Sequence, residues 1–497
     1  MTTQTKQPTT PTSRFDKPRK QWIKTIIWSL VYILFVIWLG NYWWLLILPL
    51  IFDAFITKFI PWTWWKDSKN KTFRSIMSWV DAIVFALIAV YLINNYLFQN
   101  YQIPTSSLEK TLLVGDFLAV SKASYGPRVP MTPFSFPLVQ NTFPIINTNS
   151  YLEKPQVKYR RLKGTSAIKR DDIVVFNFPA GDTIAFKVQN PDYYSICYQE
   201  GLSYVVNVLK QEPDPSLIYK YGREIVASNT DVYGKVMYRP VDRRENYVKR
   251  CVGMPGDTLS IVNNQIFIDG KPQDKFPGIQ FNYFVQTDGT RLTKSLIDEL
   301  NISNEDFIEL NNANTFGLLQ KLGLDPNYPA YHFPLTEKTY TKLQNTPGVT
   351  KLLIEPEWLT SQTIGDNVYP LGGNTGWTRD NYGPIFIPKK GSTVQLDSLN
   401  YAIYERCIRN YEGNKLEIKN GQYFINDKPA NNYTFKMDYY WMMGDNRHKS
   451  ADSRSWGFVP EDHIVGRPMF IWLSLNKDKS LFGGKIRFDR FFKNARR

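Results

Sequence analysis

Cysteine and histidine are both scarce, with three of each in 497 residues. Cys197, Cys251 and Cys407 lie far apart. No metal-binding spacing exists among them and no disulfide framework can be built; whether any two of them pair is left open. His332, His448 and His463 are too few and too scattered for a multi-histidine centre. The expectation is therefore chemistry without a metal or cofactor. Positive charge is also missing from most of the chain, despite a net charge of +15. Residues 1–75 hold eleven Lys/Arg against three Asp, and residues 477–497 hold eight against two. The 401 residues between them are close to neutral. Basic charge confined to the ends, beside apolar runs, fits a membrane surface and not a face that follows phosphates, so nucleic acid is not an expected partner.

What is present is unevenly placed. Nine of the fourteen tryptophans precede residue 80. Residues 1–21 are polar, Thr/Pro-rich and basic, and read as a disordered tail. Residues 22–98 read as a membrane region with about three spans, 23–39, 43–60 and 76–98; the first two are near the lower length limit for a bilayer. Tryptophans such as Trp43, Trp44, Trp62, Trp64 and Trp65 flank the runs, where amphipathic rings favour the interface. Lys/Arg clusters before the first run and between the second and third place both on the cytoplasmic side. Residues 23–60 then form a hairpin, crossing or re-entrant, with its turn near Gly40-Asn41, and the third run carries the chain outside. Gly40-Asn41-Tyr42-Trp43 offers no small-x-small site for cleavage of a leader.

From about residue 100 the apolar runs are short, rich in Val, Ile, Tyr and Phe, and punctuated by turn residues. That is strand and hairpin chemistry. Only 296–311 and 336–345 carry a helical period. Asn264–Pro272 echoes Gly421–Pro429, each reading as strand, tight turn, strand. The length suggests two or three units. The end of the chain alternates basic and aromatic residues, which suits either a membrane-surface anchor or a frayed, solvated terminus.

The most informative stretch is Met443 to Pro460, which includes Gly444-Asp445-Asn446-Arg447-His448-Lys449-Ser450-Ala451-Asp452-Ser453-Arg454. It is turn-rich and has no amphipathic period, so it is built to place polar groups at fixed points. This run resembles the last signature box of the type I signal peptidases, the membrane-bound serine proteases that cut signal peptides off exported proteins. Three further boxes follow the same order: Pro104–Asp116, Asp172–Phe176 and Tyr247–Asp257. The resemblance implies a mainly β, extracytoplasmic, two-lobed catalytic domain with a large insertion, preceded by α-helical transmembrane segments. Residues 99–271 and 401–475 would form the catalytic core, with insertions at 126–168 and 180–245. Residues 272–400 would form an inserted second lobe and 476–497 a basic tail. It also implies a bacterial inner-membrane, multi-pass protein with a cytoplasmic N-terminus. The implied partners are the bilayer and preproteins with small residues at −1 and −3; the oligomeric state is not indicated.

Peptide hydrolysis needs a nucleophile, a base and donors for the oxyanion. Three bases are open on the residues alone. A histidine triad would use His448, which reads as an exposed loop residue. A local Ser107-x-x-Lys110 pair needs a helix that Pro104 and Gly115 argue against. A distant lysine, Lys249, shares a strand face with Tyr247 and Cys251, where lost hydration lowers its pKa. The family resemblance selects the third. It implies Ser107 as nucleophile and Lys249 as base, with the Ser107 N–H and the Thr105 hydroxyl as oxyanion donors. Ser450 would orient the lysine amine, and Asp445, Arg250, Asp452 and Arg454 would hold the loops. Taken alone, those ionic residues read as a surface salt-bridge loop of small energetic weight. Two departures stand out: Leu108 where the family usually has Met, and Lys110 where it often has Pro. A self-cleaving Ser/Lys regulator and a non-catalytic envelope module of the same fold are the competing readings.

Overall fold

The computed structural model describes residues 15, 17–40, 42–146, 148–310, 312–360, 368–373 and 375–496. Most of the tail expected to be disordered, and Asn41 of the expected hairpin turn, lie outside the described residues. The first apolar run forms a helix, Arg19–Leu39, stopped by Gly40 at φ 64°, whose N–H donates to the Val36 and Ile37 carbonyls. The third forms Lys71–Tyr96, capped by Asn70, whose side chain accepts from the Phe73 N–H. Both are long and apolar enough to cross a membrane, at about 1.5 Å per residue. The second run is shorter and irregular, passing from a tight 3₁₀ turn at Tyr42–Ile47 to α at Leu48–Phe52 and a wide π turn at Asp53–Thr57. Phe52 packs edge-on against Trp22 at 5.9 Å, so this segment runs back along the first helix. Tyr96 meets Phe35 and Trp38, which brings the C-terminal ends of the two long helices together.

The chain then enters a seven-stranded sheet. Its order is Phe98–Gln102, Asp116–Ser121, Ile464–Ser474, Ile173–Asn177, Asn246–Gly253, Tyr439–Met443, Val459–Pro460. Every neighbouring pair is antiparallel. Ile173–Asn177 is buried at every residue, as its unbroken apolar run requires of a central strand covered on both faces. Around this sheet the four boxes converge although they are spread over some 350 positions of sequence.

The two echoed segments are both hairpins: Gln265–Ile268 with Lys271–Pro272, and Gln422–Ile425 with Lys428–Pro429. Asp269-Gly270 and Asn426-Asp427 supply two successive positive φ angles in each turn, the geometry that matches strand twist in a two-residue hairpin. The stretch read as one inserted lobe, 272–400, divides between sheets. Gln280–Thr287, Ile308–Glu309, Ala330–Thr336 and Val349–Ile354 form a four-stranded sheet of their own. Tyr382–Phe386 instead pairs with Thr258–Val262, and Thr393–Gln395 with Asn432–Thr434.

Two features depart from expectation. The 180–245 segment contains a helical hairpin, Tyr193–Ser203 and Pro215–Ser228. A Cβ on Gly201 would lie 1.8 Å from the Ile218 carbonyl oxygen, and one on Gly222 1.8 Å from that of Cys197. The two helices therefore touch backbone to backbone, which only glycine permits. The C-terminal segment is not frayed. Arg490 forms a two-pronged ion pair with Asp116, which is fully buried, and donates to the Thr111 carbonyl. All three cysteines are buried and free.

Candidate active site

Ser107 sits in a single turn, Ser106–Leu108, entered from the edge strand through Pro104 and Thr105. Leu108 and Leu112 are buried in the apolar cluster beneath it, with Ile103, Val175 and Ile471. Leucine therefore fills the position usually held by methionine with a side chain of similar volume. Lys110 has φ 73°, whereas proline is locked near −65°. The loop cannot take the proline-containing path here. The Lys110 amine points away from Ser107 and donates to the carbonyls of Leu300 and Asn301. A local Ser-x-x-Lys pair is thereby excluded.

Lys249 lies mid-strand in Asn246–Gly253, opposite Val174, with its amine over the Tyr247 ring. The alternation that placed these two side chains on one face holds. Its Nζ is 2.6 Å from Ser107 Oγ, across 142 positions of sequence. The residues are 4 % and 8 % exposed. Burial pulls the Lys249 pKa down to about 8, against the opposing pull of Asp452 and Asp445. A minor but appreciable fraction of the amine is thus neutral near physiological pH, far more than for an ordinary lysine, and a neutral amine can accept a proton.

Donors for a developing oxyanion are at hand. The Ser107 N–H donates no hydrogen bond among the described residues. Thr105, an exposed residue, has its Oγ1 3.5 Å from Ser107 Oγ. Asn446 donates its N–H to the Ser107 carbonyl at 3.1 Å, tying the last box to the nucleophile turn. Gly444 is needed there, because a Cβ would stand 2.6 Å from the Ser107 carbonyl oxygen and 2.2 Å from Ser450 Oγ. Ser450 therefore sits beside the nucleophile turn, but its hydroxyl donates to the Ala451 carbonyl, at a long 3.4 Å.

The ionic residues form no surface loop. Arg250 and Asp445 are each 1 % exposed and paired through two 2.7 Å hydrogen bonds. Thr111 donates to the same carboxylate, and the Phe276 ring lies 3.7 Å from the guanidinium. Asp452 is fully buried, grips Arg454 through both oxygens, and accepts from the Gly444 N–H. Arg454 in turn donates to the Arg447 carbonyl. Buried pairs of this kind fix geometry, since neither partner can be removed without stranding the other.

His448 corrects another expectation. Its ring is wholly buried, 3.3 Å from Asp380 and 3.8 Å from Glu355, and it accepts from the Asn282 N–H. Burial lowers its pKa, and it joins the last box to the 280–354 sheet. Composition alone missed Thr111, Asn446 and Asp116. Each lies inside a matched box, and that was the available signal.

Comparison with known proteins agrees with this geometry. The family described as "Signal peptidase, peptidase S26" matches residues 76–315 and 394–473. The signal peptidase I of Haemophilus influenzae is 25 % identical over 438 residues, covering 86 % of this chain and 78 % of that protein. That of Buchnera aphidicola subsp. Baizongia pistaciae is 24 % identical over 405 residues, covering 81 % and 79 %. The signal peptidase I of Helicobacter pylori is 50 % identical over a 44-residue stretch, 9 % of this chain and 15 % of that protein. With more than half of its residues matched and the four boxes gathered at one buried site, the chain belongs to the S26 signal peptidase family.

Proposed function

We propose that this chain is a membrane-bound serine endopeptidase that removes signal peptides from exported preproteins, with Ser107 as nucleophile and Lys249 as base. The observation that carries the reading is the 2.6 Å approach of a buried, pKa-depressed lysine to a buried serine. Neutral Lys249 takes the Ser107 proton as Oγ attacks the scissile carbonyl. The Ser107 N–H and the Thr105 hydroxyl receive the oxyanion. The lysine ammonium then protonates the leaving amine, the acyl-serine forms, and a water deprotonated by the same amine releases it. Ser450, beside Gly444, is the residue the resemblance assigns to orient the amine. Asp445–Arg250 and Asp452–Arg454 keep the loops in register. A non-catalytic module would have no need of so costly a buried lysine.

Phe98–Gln102 is an edge strand, paired among the described residues only with Asp116–Ser121, and it leads directly to the nucleophile turn. An extended substrate would add to this free edge through its main chain. Small residues at −1 and −3 then follow from the family resemblance. A preprotein whose −1 Ala is replaced by Leu or Phe should be cut poorly or not at all in detergent by the purified protein. Efficient cutting after the bulky residue would argue for a different protease class.

The helices Arg19–Leu39 and Lys71–Tyr96, with their C-terminal ends adjacent, support a multi-pass anchor whose N-terminus and 58–74 cluster are cytoplasmic. Arg160 of the catalytic domain donates to the Leu39 and Gly40 carbonyls, which supports the end of the first helix lying on the catalytic side. Because the three native cysteines are buried, single cysteines give a clean test. Lys428→Cys should react with a membrane-impermeant thiol reagent in cells with an opened outer envelope, and Lys69→Cys should not. Equal labelling of both would refute this topology.

A further inference from the structure

Where the Lys71–Tyr96 helix gives way to the sheet, the protein forms a half-open polar cavity of about 280 Å³. Asn95 at the helix end, Gln99 and Tyr101 of the edge strand, and Lys122 just beyond Asp116–Ser121 all border it. Its charged lining is Lys122, Arg128, Arg243 and Asp242, three cations against one carboxylate. Three of the four are committed to the fold. Arg128 donates to Asn177 Oδ1 and to the Asp462 carbonyl. Arg243 donates to Thr132 Oγ1. Asp242 accepts from the Met131 N–H and from both the N–H and the hydroxyl of Thr132. Lys122 is the exception: among the described residues its amine makes neither a hydrogen bond nor an ion pair.

The place of the cavity gives this amine a use. A peptide added to the free edge of Phe98–Gln102 and directed at Ser107 passes Gln99 and Tyr101 before it reaches the nucleophile. At ~3.3 Å per residue, the stretch opposite those two side chains lies about four to seven residues upstream of the scissile bond. Alternate side chains of that stretch turn toward the cavity.

We propose that this cavity is a specificity subsite, with Lys122 as the residue that favours a carboxylate and disfavours a cation in the substrate upstream of −3. The inference rests on the Ser/Lys peptidase reading and on substrate pairing with the edge strand. A carboxylate entering the cavity gains an unengaged cation and two fixed guanidinium groups beyond it. A lysine or arginine meets three cations against one carboxylate, whose Oδ2 is taken by Met131 and Thr132 and whose buried Oδ1 faces Arg243 at 3.9 Å. Burial, with Arg128 and Arg243 nearby, lowers the Lys122 pKa to about 7, and an incoming carboxylate would hold the amine charged.

The test uses the full chain in neutral detergent and one parent preprotein peptide carrying a single Asp, Asn or Lys at each position from −4 to −7. For the wild-type protein, kcat/KM should favour Asp over Lys by about tenfold at one or two of these positions, a ratio expected for charges meeting in a partly buried site. In Lys122→Glu the order should invert at the same positions, and in Lys122→Gln the preference should largely collapse. The second variant carries the test if the first does not fold. Cutting of all peptides with the same preference in wild type and variants overturns the subsite while leaving the peptidase reading intact. Failure of the wild type to cut any of them overturns the peptidase reading, and the subsite with it. If Lys122→Glu slows every peptide equally, and only in vesicles containing anionic phospholipid, the cavity holds a lipid headgroup and the proposal is wrong.

Discussion

Replacing Lys249 by arginine is expected to abolish preprotein processing as completely as Ser107→Ala, although it keeps the charge and the length of the side chain. Arginine cannot give up its proton in a protein, so the group 2.6 Å from Ser107 Oγ would remain a donor throughout and never a base. Lys249→Ala should be equally inactive. The losses in Ser107→Ala and Lys249→Ala should not add in the double variant, because the two residues act as one unit. Ser106→Ala is a useful control, since only the carbonyl of Ser106 engages the last box, through Asn446. Single-turnover cleavage of one preprotein by the five variants decides the point. An active Ser107→Ala beside an inactive Ser106→Ala would place the nucleophile at the wrong residue.

The second large effect is on stability. Asp445→Ala would leave the Arg250 guanidinium 1 % exposed with its charge uncompensated, and Thr111 without the carboxylate to which it donates. Breaking a buried pair by deleting one partner costs about 3–5 kcal/mol. The same holds for Arg250→Ala, which also empties the space against Phe276. Each single variant should unfold at markedly lower denaturant than the wild type. A paired apolar replacement of both residues should recover much of the loss, because the desolvation of two charges is then avoided. Single variants as stable as the parent would mean that the pair does not hold the 444–452 loop against the nucleophile turn.

The main parts of this site were legible through the resemblance of the four boxes, and short-range rules agreed with it at particular residues. Strand alternation put Lys249 on the Tyr247 face, and that face is buried. Turn chemistry marked Gly444 to Ser450 as a loop that positions groups, and Gly444 proves to have no room for a side chain. The paired turns at Asp269-Gly270 and Asn426-Asp427 were readable as hairpins from four residues each. Burial of the ionic residues was not readable, because it depends on what covers the loop. The Gln280–Thr287 strand and the Phe276 segment do that from more than 150 positions away, with Gln280 donating its N–H to the Asp445 carbonyl. His448 looked exposed for the same reason. The helical hairpin of 193–228 escaped notice because its helices are rich in Tyr, a residue common in strands, and because its contact is made by two glycines. Asp192 and Asp214, which cap the two helices, were the cue. Lys110 reads differently once its position is seen. The residue that departs from the family pattern anchors the nucleophile loop to the Leu300–Asn301 carbonyls, a contact proline could not make.

The pH dependence of kcat/KM tests the central claim most directly. The reactive form is the neutral amine of Lys249. Its pKa in the folded protein is lowered from 10.5 to about 8, so the neutral fraction grows as pH rises through that value and saturates above it. Activity on a preprotein whose own groups do not titrate in the window should therefore climb about tenfold per unit well below pH 8 and level off above it. The account predicts a single ascending limb with its midpoint near 8. A midpoint near 6.5, the range of an ordinary histidine, or a profile that is flat from pH 6 to 9 would contradict it.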